Sequence, residues 1–442
     1  MLNSVTANSA MPSSAARALY SLALWLMTPA YLLRLWWRGR AETLYRHAMH
    51  ERLAHYKSGS SRGAIWVHAV SLGETLAASA LIDALRLQRP GMHLLLTHST
   101  ATGFAAGAKL LKPGDLQTWL PLDTPQATAR FLDHFRPAVG VLMETEIWPN
   151  LLHAARTRQL PMVLANARLS DKSFRKSRGV MKALLTPAVA SLNCVLAQTQ
   201  ADAERLRAAG ARHVQVCGNL KFDITPNAAL LAQGVAWRAA LHRPVVLAAV
   251  TREGEEALLL SAWKTQTAAL PCKLPQDMPL LLIVPRHPQR FDEVAALVAF
   301  HGLRLVRRSA WQSTPTADAL SADVWLGDSM GEMPLYYALA HVALLGGSFA
   351  PLGGQNLIEA AACGCPVMMG PHTFNFAQAA ELAETAGAAI RVVDMNAGVQ
   401  AALVMMRSEH RAELVQRALV FASAHRGAAE RMAHSISLLL KA

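Results

Sequence analysis

Short apolar runs alternate with longer stretches of helical periodicity from residue 64 to residue 392. The runs are continuous rather than alternating apolar and polar, the pattern of parallel strands covered by helices on both faces. Predicted strands in the first half are 64–70, 93–97, 138–143, 162–166, 194–197 and 214–217. In the second half they are 245–250, 280–284, 324–326, 342–345, 367–369 and 389–392. Each half reads as a doubly wound α/β domain. Residues 224–243 hold no strand-like run and are edged by Pro226 and Pro244. The expected organisation is therefore an N-terminal segment at 1–57, a first domain at 58–225, a linker at 226–243 and a second domain at 244–442. Sheets of this kind bind ligands beyond the carboxyl ends of their strands, so a cleft lined by loops of both domains is the expected site.

Residues 18–33 are sixteen positions without a charge, interrupted by Pro29 and followed by Arg34, Trp36, Trp37, Arg38 and Arg40. A comfortable span needs about 20 apolar residues, so a tilted span and an interfacial helix both fit. Either is a membrane anchor. The tryptophans and arginines match the cytoplasmic headgroup zone, which puts the rest of the chain on that side. A cleaved signal peptide fits poorly, because the positive charge follows the apolar run instead of preceding it.

At 442 residues the chain is long enough for two cores. Of its net charge of +13, residues 1–57 carry seven basic against two acidic side chains, and residues 168–182 six against one. Ten of the thirteen excess charges thus lie in two short segments, which points to an anionic surface or substrate and away from a diffuse nucleic-acid footprint. The alternative is that both are solvated helix faces. Five scattered cysteines give no disulfide framework and fit a reducing compartment.

Several familiar sites are absent: there is no GxxxxGK[ST], GxGxxG, HExxH or paired CxxC. Nor is there an Asp-x-Asp pair to hold a divalent cation, so neither a metal nor another cofactor is expected. In the first domain, His68-Ala69-Val70-Ser71-Leu72-Gly73-Glu74 leaves a strand through a small-residue turn into a helix. The helix dipole favours the ionised form of a carboxylate there by about 0.3–1 kcal/mol, so Glu74 is expected to be charged at neutral pH and able to act as a general base. Plain charge complementarity at a helix start is the alternative. A second alternative makes Ser71 the nucleophile of a membrane-associated serine esterase of α/β type, since Ala-x-Ser-x-Gly approaches a hydrolase elbow without its leading glycine. Glu144 and Glu146 follow the strand at 138–143, before Pro149, where one can assist chemistry and the other cap a helix. Arg168, Lys172, Arg175 and Lys176 begin the second basic cluster and are expected to hold an acidic acceptor. Lys221 ends the domain near the expected cleft, or is an exposed tip lysine.

In the second domain, Arg286 stands at the tip of an apolar strand after Pro285, a good fork for phosphate. Met330, Gly331 and Glu332 lie in a small-residue loop before a helix. Residues 346–370 add a glycine-rich loop followed by a helix from Asn356. The glycines admit close backbone approach to a ligand, and the helix start would receive a phosphate while Glu359 reaches ribose hydroxyls. A capping box formed by Asn356 and Glu359 is the alternative.

With these residues in view, the chain resembles the 3-deoxy-D-manno-octulosonic acid (Kdo) transferases of lipopolysaccharide synthesis. The likeness runs through HAVSLGETLAA, METEIWPN, ANARLSDKS, GNLKFD, VPRHPQRF, GDSMGEMPLYY, GGSFAPLGGQNLIEAA and MGPHTFNF, in that order and over nearly the whole chain. It implies a GT-B fold: two Rossmann-like domains facing a cleft, with an N-terminal membrane-anchor helix. It further implies inverting, metal-independent transfer from CMP-Kdo to lipid IVA at the cytoplasmic side of the inner membrane. Under the resemblance Glu74 is the catalytic base, with Glu146 and Lys221 in support. The CMP contacts are Pro285, Arg286, Met330, Gly331, Glu332, Asn356, Leu357, Ile358 and Glu359. Ser71, Gly73, Arg168, Lys172, Arg175 and Lys176 are expected at the acceptor. Gln355 stands where many relatives carry His, and both donate a hydrogen bond. The remaining alternatives are the Ser71 esterase and a non-catalytic membrane-bound nucleotide sensor.

Overall fold

The computed structural model describes residues 12–57, 59, 62–177, 179, 181–270 and 278–440. Cys272 and Arg178 lie outside them. The chain divides into two compact units: one ends at Asp223 and takes in the chain from Arg426 onward, and the other is Ile224–His425.

The first unit is built on a parallel sheet of β1 (Ile65–His68), β2 (Leu94–His98), β3 (Leu116–Trp119), β4 (Val139–Met143), β5 (Met162–Ala167), β6 (Cys194–Ala197) and β7 (Val214–Val216). Their order is β3-β2-β1-β4-β5-β6-β7. Both faces are buried, as the unbroken apolar runs require: Trp66, Leu95, Leu142 and Leu164 face one layer of helices, and Val67, Leu96, Val141 and Val163 the other. The order reverses between β1 and β4, which pair from Ile65↔Val139 to His68↔Leu142. A crevice opens beyond the carboxyl ends of strands at such a reversal.

The second unit repeats the plan with β8 (Val245–Thr251), β9 (Leu280–Pro285), β10 (Leu305–Arg307), β11 (Val324–Leu326), β12 (Val342–Leu345), β13 (Val367–Met369) and β14 (Ala389–Arg391). Here the order is β10-β11-β9-β8-β12-β13-β14, with the reversal between β8 and β12. β3 and β10 were not expected from the sequence. Both are edge strands with half-buried polar residues, so neither needs a continuous apolar run.

Three boundaries differ from expectation. The expected linker is mostly helix, Ala228–Leu241, which packs on helix Met333–Leu339. Gly234 makes this approach possible, since a Cβ there would lie 2.3 Å from the Leu335 carbonyl oxygen. The last helix, Ala428–Leu439, belongs to the first unit, against helix Leu72–Gln88. Its buried face of Ala428, Ala429, Met432, Ala433 and Ile436 is small and apolar, and Asp223 accepts hydrogen bonds from the Gly427 and Ala429 amides.

At the N-terminus, helix Ser13–Arg38 continues through Pro29. It lies along the first unit: Ala16 and Leu35 are buried, Tyr20 donates to Asp123 Oδ2 at 3.0 Å, and Ser21 donates to Asn150 Oδ1 at 3.2 Å. Leu19, Leu22, Leu26, Leu33 and Trp37 point away, all exposed. The rest of the expected anchor segment is part of the fold. Arg52 is buried with its guanidinium 4.0 Å from the Trp119 ring, donating to the Ser99 carbonyl.

Candidate active site

Both carboxylate motifs of the first unit leave the sheet at its reversal point. After β1 the chain turns at Val70 and enters helix Leu72–Gln88 with Ser71 as N-cap. Thr100 and Gly103 seat this turn from the neighbouring helix. The Thr100 hydroxyl donates to the Val70 carbonyl at 2.8 Å, and a Cβ on Gly103 would lie 2.9 Å from that oxygen. Glu74 occupies the third helical position and folds back. Its Oε2 accepts the Val70 N–H at 2.8 Å, its Oε1 accepts the Ser71 hydroxyl at 3.1 Å, and Ser71 Oγ in turn accepts the Glu74 N–H at 3.4 Å. The dipole argument for Glu74 is outweighed by burial, which raises its proton affinity. Glu144 adds to the rise, while the two hydrogen bonds and Lys221 oppose it.

The turn after β4 supplies the other acids. Glu144 adopts a left-handed backbone, φ 56°, and the Glu146 N–H donates to the Met143 carbonyl at 3.3 Å. Neither glutamate caps the helix that follows. The amides of Asn150 and Leu151 are taken by Asp123, at 3.1 and 2.7 Å. Glu146 is pushed up to about 7, by burial first and then by Glu74 and Glu144. Glu74, Glu144 and Glu146 therefore share one electrostatic neighbourhood, with the Lys221 ammonium close enough to favour ionised Glu74.

Lys221 is half-buried and reaches this place through an amide relay. Asn166, in a left-handed conformation, accepts the Leu220 N–H at 3.1 Å; Gln198 donates to the Asn166 carbonyl at 2.9 Å; Asn219 donates to Gln198 at 3.1 Å and accepts the Lys221 N–H at 3.0 Å. Beneath the Ser71 turn, His98 Nδ1 lies 2.8 Å from the Ala69 carbonyl, and His68 Nδ1 lies 3.0 Å from Thr97 Oγ1. Burial lowers both imidazoles, to about 4 and about 3, so they brace the turn as neutral groups. Gly73 is exposed on the first helical turn. The Arg168 N–H donates to the Glu144 carbonyl at 3.3 Å, tying the basic segment to the acidic turn. Arg168, Lys172, Arg175 and Lys176 are all exposed, the last three on helix Asp171–Ser177.

In the second unit, buried Pro285 ends β9 and exposed Arg286 follows, its N–H donating to the Thr251 carbonyl at 2.9 Å. The loop at Met330 is pinned on both sides. Asp328 accepts the Ser309 N–H and hydroxyl at 2.8 and 2.7 Å, and Glu332 accepts from Arg308 at 2.9 Å, from Ser329 and from Tyr336 at 3.3 Å. The Glu332 carboxylate is thus occupied inside the protein, whereas Met330 is 67% exposed and Gly331 turns with φ 82° into open space.

Asn356 caps its own helix, its Oδ1 accepting the Ile358 N–H at 3.0 Å. That helix, Leu357–Ala362, is only six residues long, so its dipole is weaker than the sequence led us to expect. The Leu357 and Ile358 side chains are buried in the core, leaving their backbone for any ligand contact. Glu359 does not close a capping box. Among the described residues its carboxylate receives no hydrogen bond, and burial alone raises its proton affinity.

The glycines near this loop serve the protein's own packing more than expected. A Cβ at Gly346 would lie 2.4 Å from the Val250 carbonyl oxygen, at Gly370 2.4 Å from that of Ser348, and at Gly353 2.3 Å from the Asn375 amide. Val250 itself has φ 58°, a strained conformation for a β-branched residue that costs on the order of 1–3 kcal/mol. Sequence reading missed Thr100, Gly103, Asp123, Gln198 and Glu255, whose side chains or approaches fix these loops. No local motif marks them, because the loops they fix are distant in sequence.

Among the described residues no group of three or more His, Cys, Asp and Glu is disposed to hold a metal ion.

The model of the 3-deoxy-D-manno-octulosonic-acid transferase (kdotransferase) family matches residues 47–224. The chain is 46% identical over 428 residues to the 3-deoxy-D-manno-octulosonic acid transferase of Bordetella pertussis, covering 94% of this chain and 97% of the relative. It is 35% identical over 340 residues to that of Haemophilus influenzae, covering 75% and 77%. Among solved structures it is similar to Anabaena HepE in complex with UDP, with TM-score 0.54, 15% identity and coverage of 85% and 100%. It is likewise similar to a glycosyltransferase from Rickettsia africae, with TM-score 0.54, 12% identity and coverage of 86% and 99%. At those identities the structural likeness is one of fold.

Proposed function

We infer the reaction from one premise: this chain belongs to the 3-deoxy-D-manno-octulosonic acid (Kdo) transferase family, and is a Kdo transferase of GT-B fold. We propose that its donor is CMP-Kdo, that its acceptor is the lipid A precursor lipid IVA, and that transfer inverts the anomeric centre without a metal ion. The convergence of Glu74, Glu144, Glu146 and Lys221 at one sheet reversal carries this reading.

In the proposed step an acceptor hydroxyl oxygen attacks the anomeric carbon of Kdo and its proton passes to the Glu74 carboxylate. The bond from that carbon to the phosphate oxygen breaks, and CMP leaves with the electron pair. In-line attack inverts the centre. Burial suits Glu74 to the task, because a base whose proton affinity lies above the ordinary carboxylate range accepts a proton more readily. Ser71 and the Val70 amide aim it, and Glu146 and Lys221 tune its charge.

The departing phosphate needs positive charge, which Arg286 and backbone N–H groups at Gly331, Leu357 and Ile358 would supply. Pro285, Met330 and Asn356 would frame the nucleotide, Glu332 would hold the Met330 loop, and the half-buried Glu359 carboxylate suits ribose hydroxyls. The metal-free reading is supported by this protein charge. Ser71, Gly73 and the exposed cations Arg168, Lys172, Arg175 and Lys176 are proposed to meet the phosphorylated acceptor. The esterase alternative finds no support at Ser71, whose hydroxyl donates to Glu74 while His68 and His98 engage Thr97, Thr75 and Ala69.

For membrane attachment we propose an interfacial helix on the cytoplasmic side of the inner membrane. Helix Ser13–Arg38 is long and apolar enough to cross a bilayer, but crossing would cost its contacts at Ala16, Tyr20, Ser21 and Leu35, while its outward leucines suit immersion at the headgroup boundary. The decisive experiment incubates the enzyme with CMP-Kdo and lipid IVA and weighs the lipid by mass spectrometry. Gain of one or more Kdo masses is the expected result, and an unchanged lipid would sink the acceptor assignment.

A further inference from the structure

Glu255 is a glutamate with no solvent exposure, placed one residue past the turn that leaves β8, where the second sheet reverses. A buried carboxylate must be answered by donors, and this one has four. Oε2 accepts the Arg252 N–H at 2.9 Å and the Gly347 N–H at 2.7 Å, while Oε1 accepts the Phe349 N–H at 3.1 Å and the Ala350 N–H at 3.3 Å. Three of these donors belong to the loop after β12. The Gly347 carbonyl then accepts the Gly354 N–H at 2.7 Å, two residues before Asn356. On its other side the Arg252 turn follows Thr251, whose carbonyl accepts the Arg286 N–H.

We infer that Glu255 is a positioning residue for the donor nucleotide: its carboxylate ties the Arg252 turn to residues 347–350 and so sets where Asn356–Glu359 and Arg286 stand. It touches no ligand itself. This inference rests on the proposed donor site. The loop's amides need an acceptor in the folded state whether or not nucleotide is bound. A side chain that is acceptor-only at both oxygens satisfies all four; a glutamine offers one oxygen and turns an NH₂ toward two amide donors.

The test compares wild type, Glu255→Gln and Glu255→Asp, each assayed below its own melting temperature. CMP affinity is read by calorimetry, donor and acceptor KM from initial rates, and amide exchange at Gly347, Phe349 and Ala350 by mass spectrometry. Glu255→Gln is expected to weaken CMP binding about tenfold or more and to raise donor KM in parallel, with acceptor KM within about twofold of wild type and faster exchange at the three amides. Glu255→Asp keeps the charge but retracts it, and should fall between the two; it also serves if the glutamine variant does not fold. Unchanged CMP affinity in a folded variant overturns the inference, as does an equal rise in both KM values. Failure of wild type to bind CMP would instead overturn the donor reading, and amide exchange would still report whether Glu255 holds the loop.

Discussion

At the scale of single residues, environment outweighs position. Glu74 stands where a helix dipole should lower its proton affinity, yet burial and Glu144 raise it. Two outcomes are expected. Glu74→Gln, which keeps shape and loses the base, should lower kcat by about 10²–10⁴ and leave the CMP dissociation constant unchanged; full activity would remove Glu74 from the chemistry. The base works ionised, so kcat/KM should fall as pH drops through its raised pKa, and the acid limb should lie above the usual carboxylate range. Glu144→Gln deletes a like charge and should move that limb to lower pH. A limb that stays put would separate Glu144 from Glu74. Glu146, pushed up to about 7, loses its charge as pH falls, which relieves the repulsion on Glu74 and should broaden the limb through coupling.

At the scale of elements, helices and turns are held by residues remote from the motifs they serve. Asp123 caps helix Pro149–Thr157 and also receives Tyr20, which relieves Glu144 and Glu146 of capping. Helix Asp171–Ser177 presents Lys172, Arg175 and Lys176 to solvent, and Arg168 precedes it. Changing these four to glutamine should raise the acceptor KM severalfold, more than the donor KM, with the difference shrinking at high salt. Equal effects on both would take the cluster out of acceptor binding.

For the whole molecule, the outward leucines of helix Ser13–Arg38 and the basic segments predict binding to vesicles rich in anionic lipid. Leu19→Asp, Leu22→Asp and Leu26→Asp together should abolish cosedimentation while leaving transfer to a detergent-dispersed acceptor largely intact. Retained cosedimentation would refute the interfacial anchor. Chelation should leave turnover unchanged, because the positive charge on the leaving phosphate is assigned to protein groups; loss in EDTA with recovery in magnesium would refute it.

Much was legible in the chain because it is encoded locally. Continuous apolar runs marked the interior strands, and twelve of the fourteen strands among the described residues were expected within two residues at each end. The turns carrying Glu74, Glu146, Arg286 and Asn356 were visible because strand ends, glycines and prolines punctuate the pattern. Of the four edge strands, β7 and β14 were expected, while β3 and β10 escaped because Gln117, Thr118 and Arg307 leave them no continuous apolar run. The C-terminal helix reads like any other amphipathic segment, and only its small-residue face against helix Leu72–Gln88 assigns it to the first unit.

By itself, then, the sequence determined the alternating elements, the two-sheet plan and the turns on which the proposed site residues stand, since periodicity and turn preference act over a few residues. Only the tertiary structure decided which of them meet. Strand order brings the ends of β1 and β4 side by side, so Glu74 meets Glu144 and Glu146. The same crossover logic sets Glu255 beneath the glycine loop. Burial follows from that packing, and with it the raised proton affinity of Glu74 and the enclosure of Glu255 by backbone amides.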